Sequence, residues 1–252
     1  MKQIQILLIG VFTIVLSSWV SSQDDLKTIL KQADFYRGGQ ISGIYWDLTV
    51  ENIEEGKQKN LLNLKIEASS TNSEQFALIT FLKPKKYLGQ KLLLRNNSMW
   101  FVKRGMRRPI PISGRQRLTG SAANADVASA NYYQDYNIIG ATDAILNDIP
   151  CLLFELEAKS TLINYSKLKY WISKEGNKGL KAEFYGKSGK LIKTGIFEYN
   201  NTIDVDGKTH PFISKIVISN KINTQDKTIL SIEKPVIKSL SNATFQKNSL
   251  LD

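Results

Sequence analysis

The side chains that most often carry covalent chemistry are nearly missing from these 252 residues, which hold one histidine, His210, and one cysteine, Cys151. A Ser-His-Asp or Cys-His arrangement would rest entirely on His210, which precedes Pro211 and reads as a solvated turn residue. One His and one Cys cannot build a closed zinc site, and no acidic calcium loop is present. The glycines from Gly114 to Gly120 have neither dinucleotide nor phosphate-loop spacing. No catalytic residue, metal or cofactor is therefore expected. Cys151 sits in the apolar run IPCLLFELEA and reads as a buried small hydrophobe.

Positive charge is what the sequence does concentrate. Lys103, Arg104, Arg107, Arg108, Arg115 and Arg117 all precede the first acid of their stretch, Asp126. Cations without interleaved acids raise the local potential and suit contact with anionic groups through Arg forks. Two uses follow from the spacing. Arg104, Arg107 and Arg108 make a basic arm placed to meet the phosphates of lipid head groups, and Arg115 and Arg117 are placed to latch a lid onto Asp126 and Asp135. Pro109 and Pro111 predict an extended backbone for the arm, because proline fixes φ and disfavours helix in the residue before it. From Asn124 the composition turns to Ala, Asn, Asp and Tyr at helix-compatible spacing, which predicts a short helix ending at Gly140.

Residues 1–22 carry one charge, Lys2, then an apolar run and a small-residue end, the layout of a secretory signal peptide. Removing them leaves 33 Lys and Arg against 23 Asp and Glu, a balance of +10. An exported basic chain is not expected to meet nucleic acid. Its expected partners are anionic lipid head groups, lipid A or an acidic protein surface.

The remaining 23–252 read as a single domain, with an apolar share of 42% that is ample for a core. Leu26, Ile29, Leu30, Ala33 and Tyr36 recur at helical spacing and predict an amphipathic helix that stops at Gly38-Gly39. Period-two alternation then predicts strands over 44–51, 62–68, 75–82, 91–94 and 99–103, an antiparallel meander. Further strands are predicted over 151–158, 162–173, 180–185, 190–199, 212–219 and 228–236, roughly ten in all, with a last short helix in the tail. A long antiparallel sheet with one apolar face must be covered, and two or three helices can roof a hollow without filling it. Trp46, Leu48, Leu64, Leu78, Leu94, Trp100 and Tyr170 are the residues expected to line that hollow.

Taken in order, RQRLTGSAANADVASANYYQDY, ILNDIPCLLFELEAK, YSKLKYWISKEG, LKAEFYGKSGKLIKT and the tail TFQKNSLL resemble the outer-membrane lipoprotein-sorting family of periplasmic proteins related to the LolA carrier. The resemblance covers nearly the whole chain after residue 22. It implies a mainly β, α+β fold: an unclosed antiparallel half-barrel with a helical lid over an apolar cavity for acyl chains. It also implies a periplasmic carrier of lipid or lipoprotein toward the outer membrane, not an enzyme. The alternative is a non-transporting lipid-sensing or accessory partner of a resistance-nodulation-division type exporter or envelope-stress regulator, and the protein partner it implies is an inner-membrane exporter of that type or a lipoprotein-release complex. The basic loop and Asp-Tyr helix are the point where this sequence departs from the carrier itself.

Overall fold

The computed structural model describes residues 22–71, 73–128, 131–221 and 225–251, so the expected leader lies outside the described residues apart from Ser22. Ser22 closes a capping box with Asp25 and starts α1 (Gln23–Phe35), whose Leu26, Leu30 and Ala33 are buried. Capping of this kind satisfies two amides that the helix cannot bond itself.

The expected meander forms as β1 (Ile44–Glu54), β2 (Lys57–Ser70), β3 (Gln75–Lys83), β4 (Lys91–Arg95) and β5 (Ser98–Val102). The basic arm does not stay extended throughout: after bends at 104–108 the chain forms β6 (Ile110–Ile112), with Pro111 opposite Trp100. A proline has no amide to donate and is tolerated there because β6 is an edge strand. A separate hairpin, β7 (Arg117–Thr119) and β8 (Ala122–Ala123), leads into α2 (Asn124–Ala128) and α3 (Tyr132–Asp135).

The helix expected to run to Gly140 instead ends at Asp135, and Tyr136 begins β9 (Tyr136–Leu146). Ile138, Ile139 and the β10 ladder decide this in favour of strand. Next come β10 (Ile149–Ala158), β11 (Lys167–Ser173), β12 (Gly179–Tyr185) and β13 (Leu191–Glu198). The hairpin β14 (Asn201–Val205) and β15 (Lys208–Phe212) precedes β16 (Lys215–Asn220) and β17 (Lys227–Ile237). His210 is thus a half-buried strand residue with its ring edge-on to Phe35, 5.1 Å between centroids, and not a solvated turn residue.

Thirteen strands form one antiparallel sheet in the order β6-β5-β4-β3-β2-β1-β17-β16-β13-β12-β11-β10-β9. The fold is the unclosed half-barrel that was expected, with more strands than the ten counted from alternation. The extra ones are short or are edges with apolar residues of both parities. The sheet is sewn at its middle by β1 against β17, with Leu48 opposite Ile232.

The two faces of the sheet are unequal. The inner face carries the main core, including Ile44, Leu48, Leu64, Ile79, Leu92, Tyr170 and Leu230, beneath α1 and α2. The outer face has a small cluster of Leu78, Leu93 and Val102, covered by Phe245 and Leu250 of the tail. The tail holds two short 3-10 turns, Asn242–Phe245 and Asn248–Leu250, in place of the expected helix.

Candidate functional site: a hydrogen-bonded strap over an apolar inner face

Residues 113–128 and 131–135 form a strap across the inner face, and its anchors are polar. At its turn, Gly120 has φ +50°, and a Cβ there would overlap Asn52 Oδ1. Glycine is the residue that fits so close an approach at positive φ. The next amide, Ser121 N–H, donates to Thr228 Oγ1 at 2.8 Å. Further along, Asn131 Nδ2 donates to Ser70 Oγ at 3.0 Å.

Asp126 is the strap's charged anchor. It is paired with Lys193 of β13, and the two side chains are only 7% and 4% exposed. The Tyr165 hydroxyl donates to Oδ1 at 3.1 Å, while Ala123 N–H donates at 2.7 Å to Oδ2, the oxygen that faces Lys193. This corrects the expected latch. Arg115 does not pair with Asp126 or Asp135; its guanidinium donates to the carbonyls of Asn164 at 2.7 Å and Ile163 at 2.8 Å. Arg117 is exposed on β7 and forms no ion pair with a described residue. Desolvation pushes the Asp135 carboxyl up to about 6 while the charge of Lys159 pulls it down. The reason is geometric: Asp126 of α2 faces Lys193 on the sheet, whereas Arg115 turns to the 163–164 carbonyls and Arg117 lies at the groove.

A second buried polar cluster holds the other half of the lid. Asp34 of α1 is fully buried, and its Oδ2 accepts the Tyr133 amide at 2.6 Å while Oδ1 has no partner. Burial pushes its carboxyl up to about 7 against the pull of Arg37 and of the Tyr133 and Tyr132 amides. Arg37 lies with its guanidinium over Tyr132, 4.1 Å from the ring centroid, and donates to the Tyr170 hydroxyl at 3.1 Å. Guanidinium stacking of this kind is strong where water is excluded.

Two of the spaces that border inner-face residues differ sharply in size. Beneath the strap, Arg37, Trp46, Leu48, Val127, Ile216 and Leu230 enclose only about 60 Å³. At the β2–β6 end of the sheet, an open groove of about 570 Å³ has Leu62, Phe81, Tyr87, Leu92, Phe101 and Ile112 among its lining residues. Glu54 and Arg117 are its only charged lining residues. The second volume falls in the range of ligand sites; the first does not.

The seven expected lining residues separate accordingly. Trp46 and Leu48 border the small cavity, while Leu64, Leu94 and Tyr170 belong to the packed inner core. Leu78 and Trp100 are corrections, since both pack in the outer cluster under the tail, with Lys247 Nζ 4.0 Å from the Trp100 ring centroid. Arg104, Arg107 and Arg108 are all exposed, and none forms an ion pair with a described residue.

Residues 73–252 match a protein-family model described as "Uncharacterized protein". The chain belongs to that family, and its fold is LolA-like. A LolA superfamily protein from Nitrosomonas europaea superposes with TM-score 0.75 at 24% identity, covering 88% of this chain and 97% of that one. A putative outer membrane lipoprotein-sorting protein domain from Vibrio parahaemolyticus gives 0.74 at 18% identity, covering 90% and 98%. A DUF1329 family protein from Desulfovibrio piger gives 0.72 at 18%, covering 89% and 97%. No curated protein matches the sequence.

Within this LolA-like fold, sequence reasoning missed Asp34, Arg37, Lys193 and Tyr165. One signal was readable. Lys193 shares its strand parity with the buried Gly195 and Phe197, so an inward lysine there calls for a buried acid. Asp34 likewise continues the buried stripe of Leu26 and Leu30 on α1.

Proposed function

We propose that this chain is a periplasmic carrier that takes the acyl chain of a lipid or lipoprotein onto the inner face of its half-barrel and delivers it toward the outer membrane. The observation that carries this reading is the division of one apolar face into an open groove and a strapped interior. An acyl chain of about 16 carbons gains on the order of 12 kcal/mol when its methylenes leave water, so it requires a dry host to cross an aqueous space. The groove receives the first part of the chain. Displacing the strap, which is bound by polar contacts on a greasy floor, extends the groove toward Trp46 and Leu48. Solved structures of the same fold include a putative outer membrane lipoprotein-sorting domain, which supports cargo of this class. Transfer of this kind needs no covalent step.

The test is extraction of the purified protein with organic solvent, mass spectrometry of the extract, and titration of the emptied protein with a fluorescent fatty acid. Co-purified lipid and saturable binding at one site are expected. A chain that holds no lipid and binds no fatty acid would overturn the reading.

A further inference from the structure

Consecutive strands of a meander alternate in direction, so the β1–β2 turn, the β3–β4 connection and the β5–β6 loop all emerge at one end of the sheet. Their composition is lopsided. Residues 83–91 hold four lysines and no acid, and residues 103–108 hold four cations and no acid. Residues 54–60 add two lysines to Glu54 and Glu55. Only Lys86 among these cations meets a ring, that of Tyr87 at 4.8 Å, and Lys91 donates to the Leu250 carbonyl. None forms an ion pair with a described residue.

Large apolar side chains stand exposed between them. Leu61, Leu82, Leu88 and Ile110 are 43%, 39%, 59% and 43% exposed, and all four flank these same connections. The groove of about 570 Å³ opens here, for Asn60, Tyr87, Gln90 and Ile110 are among its lining residues. A basic rim studded with aliphatic side chains around the mouth of an apolar groove matches the surface of an anionic bilayer, which offers phosphate charge above and acyl chains below.

We propose that this end of the half-barrel is a membrane-docking face for anionic bilayers, with the groove mouth turned toward the lipid. Charge draws the rim to the head groups from a distance, and Leu88 and Ile110 enter the interface once it arrives. The basic arm is then one of several loops sharing the contact. The docking itself does not depend on the carrier reading; only the use of the groove by a bilayer acyl chain rests on it.

The experiment is co-sedimentation with vesicles of phosphatidylcholine alone or with a third of phosphatidylglycerol, at low and physiological salt. Wild type is expected to bind the anionic vesicles and to lose binding as salt rises. The double variant Lys85→Gln, Lys86→Gln, outside the arm, should bind about fivefold more weakly for each charge removed. Leu88→Ser should weaken binding at both salt concentrations, since its contribution is not screened. All three positions are exposed, so the fold is not at risk. Equal binding to neutral and anionic vesicles, or no vesicle binding at all, overturns the proposal. Fatty-acid titration of the same samples keeps the two readings apart. Vesicle binding without fatty-acid binding sinks the carrier, and fatty-acid binding without vesicle binding sinks the docking face.

Discussion

The two spaces on the inner face share one sheet and one kind of floor, yet differ tenfold in volume, about 60 Å³ under the strap against about 570 Å³ at the groove. Their covers account for the difference. Over the small cavity lie Asp126 paired with Lys193 and Arg37 against the Tyr132 ring, charges buried among aromatic side chains. Over the groove lies the thinner start of the same strap, the segment from Gln116 to Gly120. A lid held by charges behaves unlike one held by grease. A buried ion pair is often no more stabilising than an apolar substitute, but its geometry is specific, and it separates as a unit once water reaches it. The strap therefore closes in one register without adding much to the stability of the closed state.

The largest effect that separates the two regions is expected at the strap. Asp126→Ala leaves Lys193 buried and unpaired and should cost roughly 3–5 kcal/mol in urea unfolding. Adding Lys193→Met should restore most of that loss, since contacting residues are energetically coupled. An undiminished loss in the double variant would show that the strap depends on Asp126 for something other than the charge pair.

A comparable effect, spread over about three pH units, should appear with pH. Asp34 titrates near 7 when folded and near 3.8 when unfolded, so between these values the unfolded chain has released a proton that the folded chain keeps. Stability contributed by the neutral carboxyl is complete below about pH 4 and falls by about 1.4 kcal/mol per pH unit until pH reaches about 7. Asp135, raised to about 6, adds a slope of the same sign. Asp34→Asn should flatten the larger part of this slope, measured by denaturation from pH 4 to 8. A slope unchanged in that variant would place the titration elsewhere.

The smallest effect on stability belongs to the groove. Phe101 is half-buried there, and Phe101→Ala should cost well under the roughly 3–5 kcal/mol of a fully packed ring. Fatty-acid affinity should nevertheless fall several-fold. The reverse outcome, a large loss of stability with unchanged affinity, would make the groove part of the solid core.

The same contrast explains what was legible in the sequence. Strands with polar residues at alternate positions, such as IYWDLTVE in β1, gave their register and their inner face directly, with Leu48 on that face. QFALITFL in β3 is apolar at both parities because both faces are covered there, so alternation could not tell Leu78 from Ile79. The concentrated positive charge was visible, but charge alone does not name a partner. Arg115 ended on backbone carbonyls, which no sequence pattern marks, and Asp126 found Lys193 across 67 positions of chain. Asp34 and Arg37 look like ordinary helix-end charges until α3 folds down on them.

The seam between β1 and β17 has a consequence for how the molecule comes into being. It joins residues 44–53 to residues 227–237 at the centre of the sheet, while β1 to β6 on one flank and β9 to β13 on the other are built from neighbouring hairpins. Local hairpins close short loops and form quickly, whereas the seam must close a loop of nearly the whole domain. The chain thus has two flanks able to assemble early and a middle that waits for its last quarter to arrive. Until then β1 presents an unpaired edge in the heart of the future sheet, and a half-made molecule is more exposed to wrong partners than any later state.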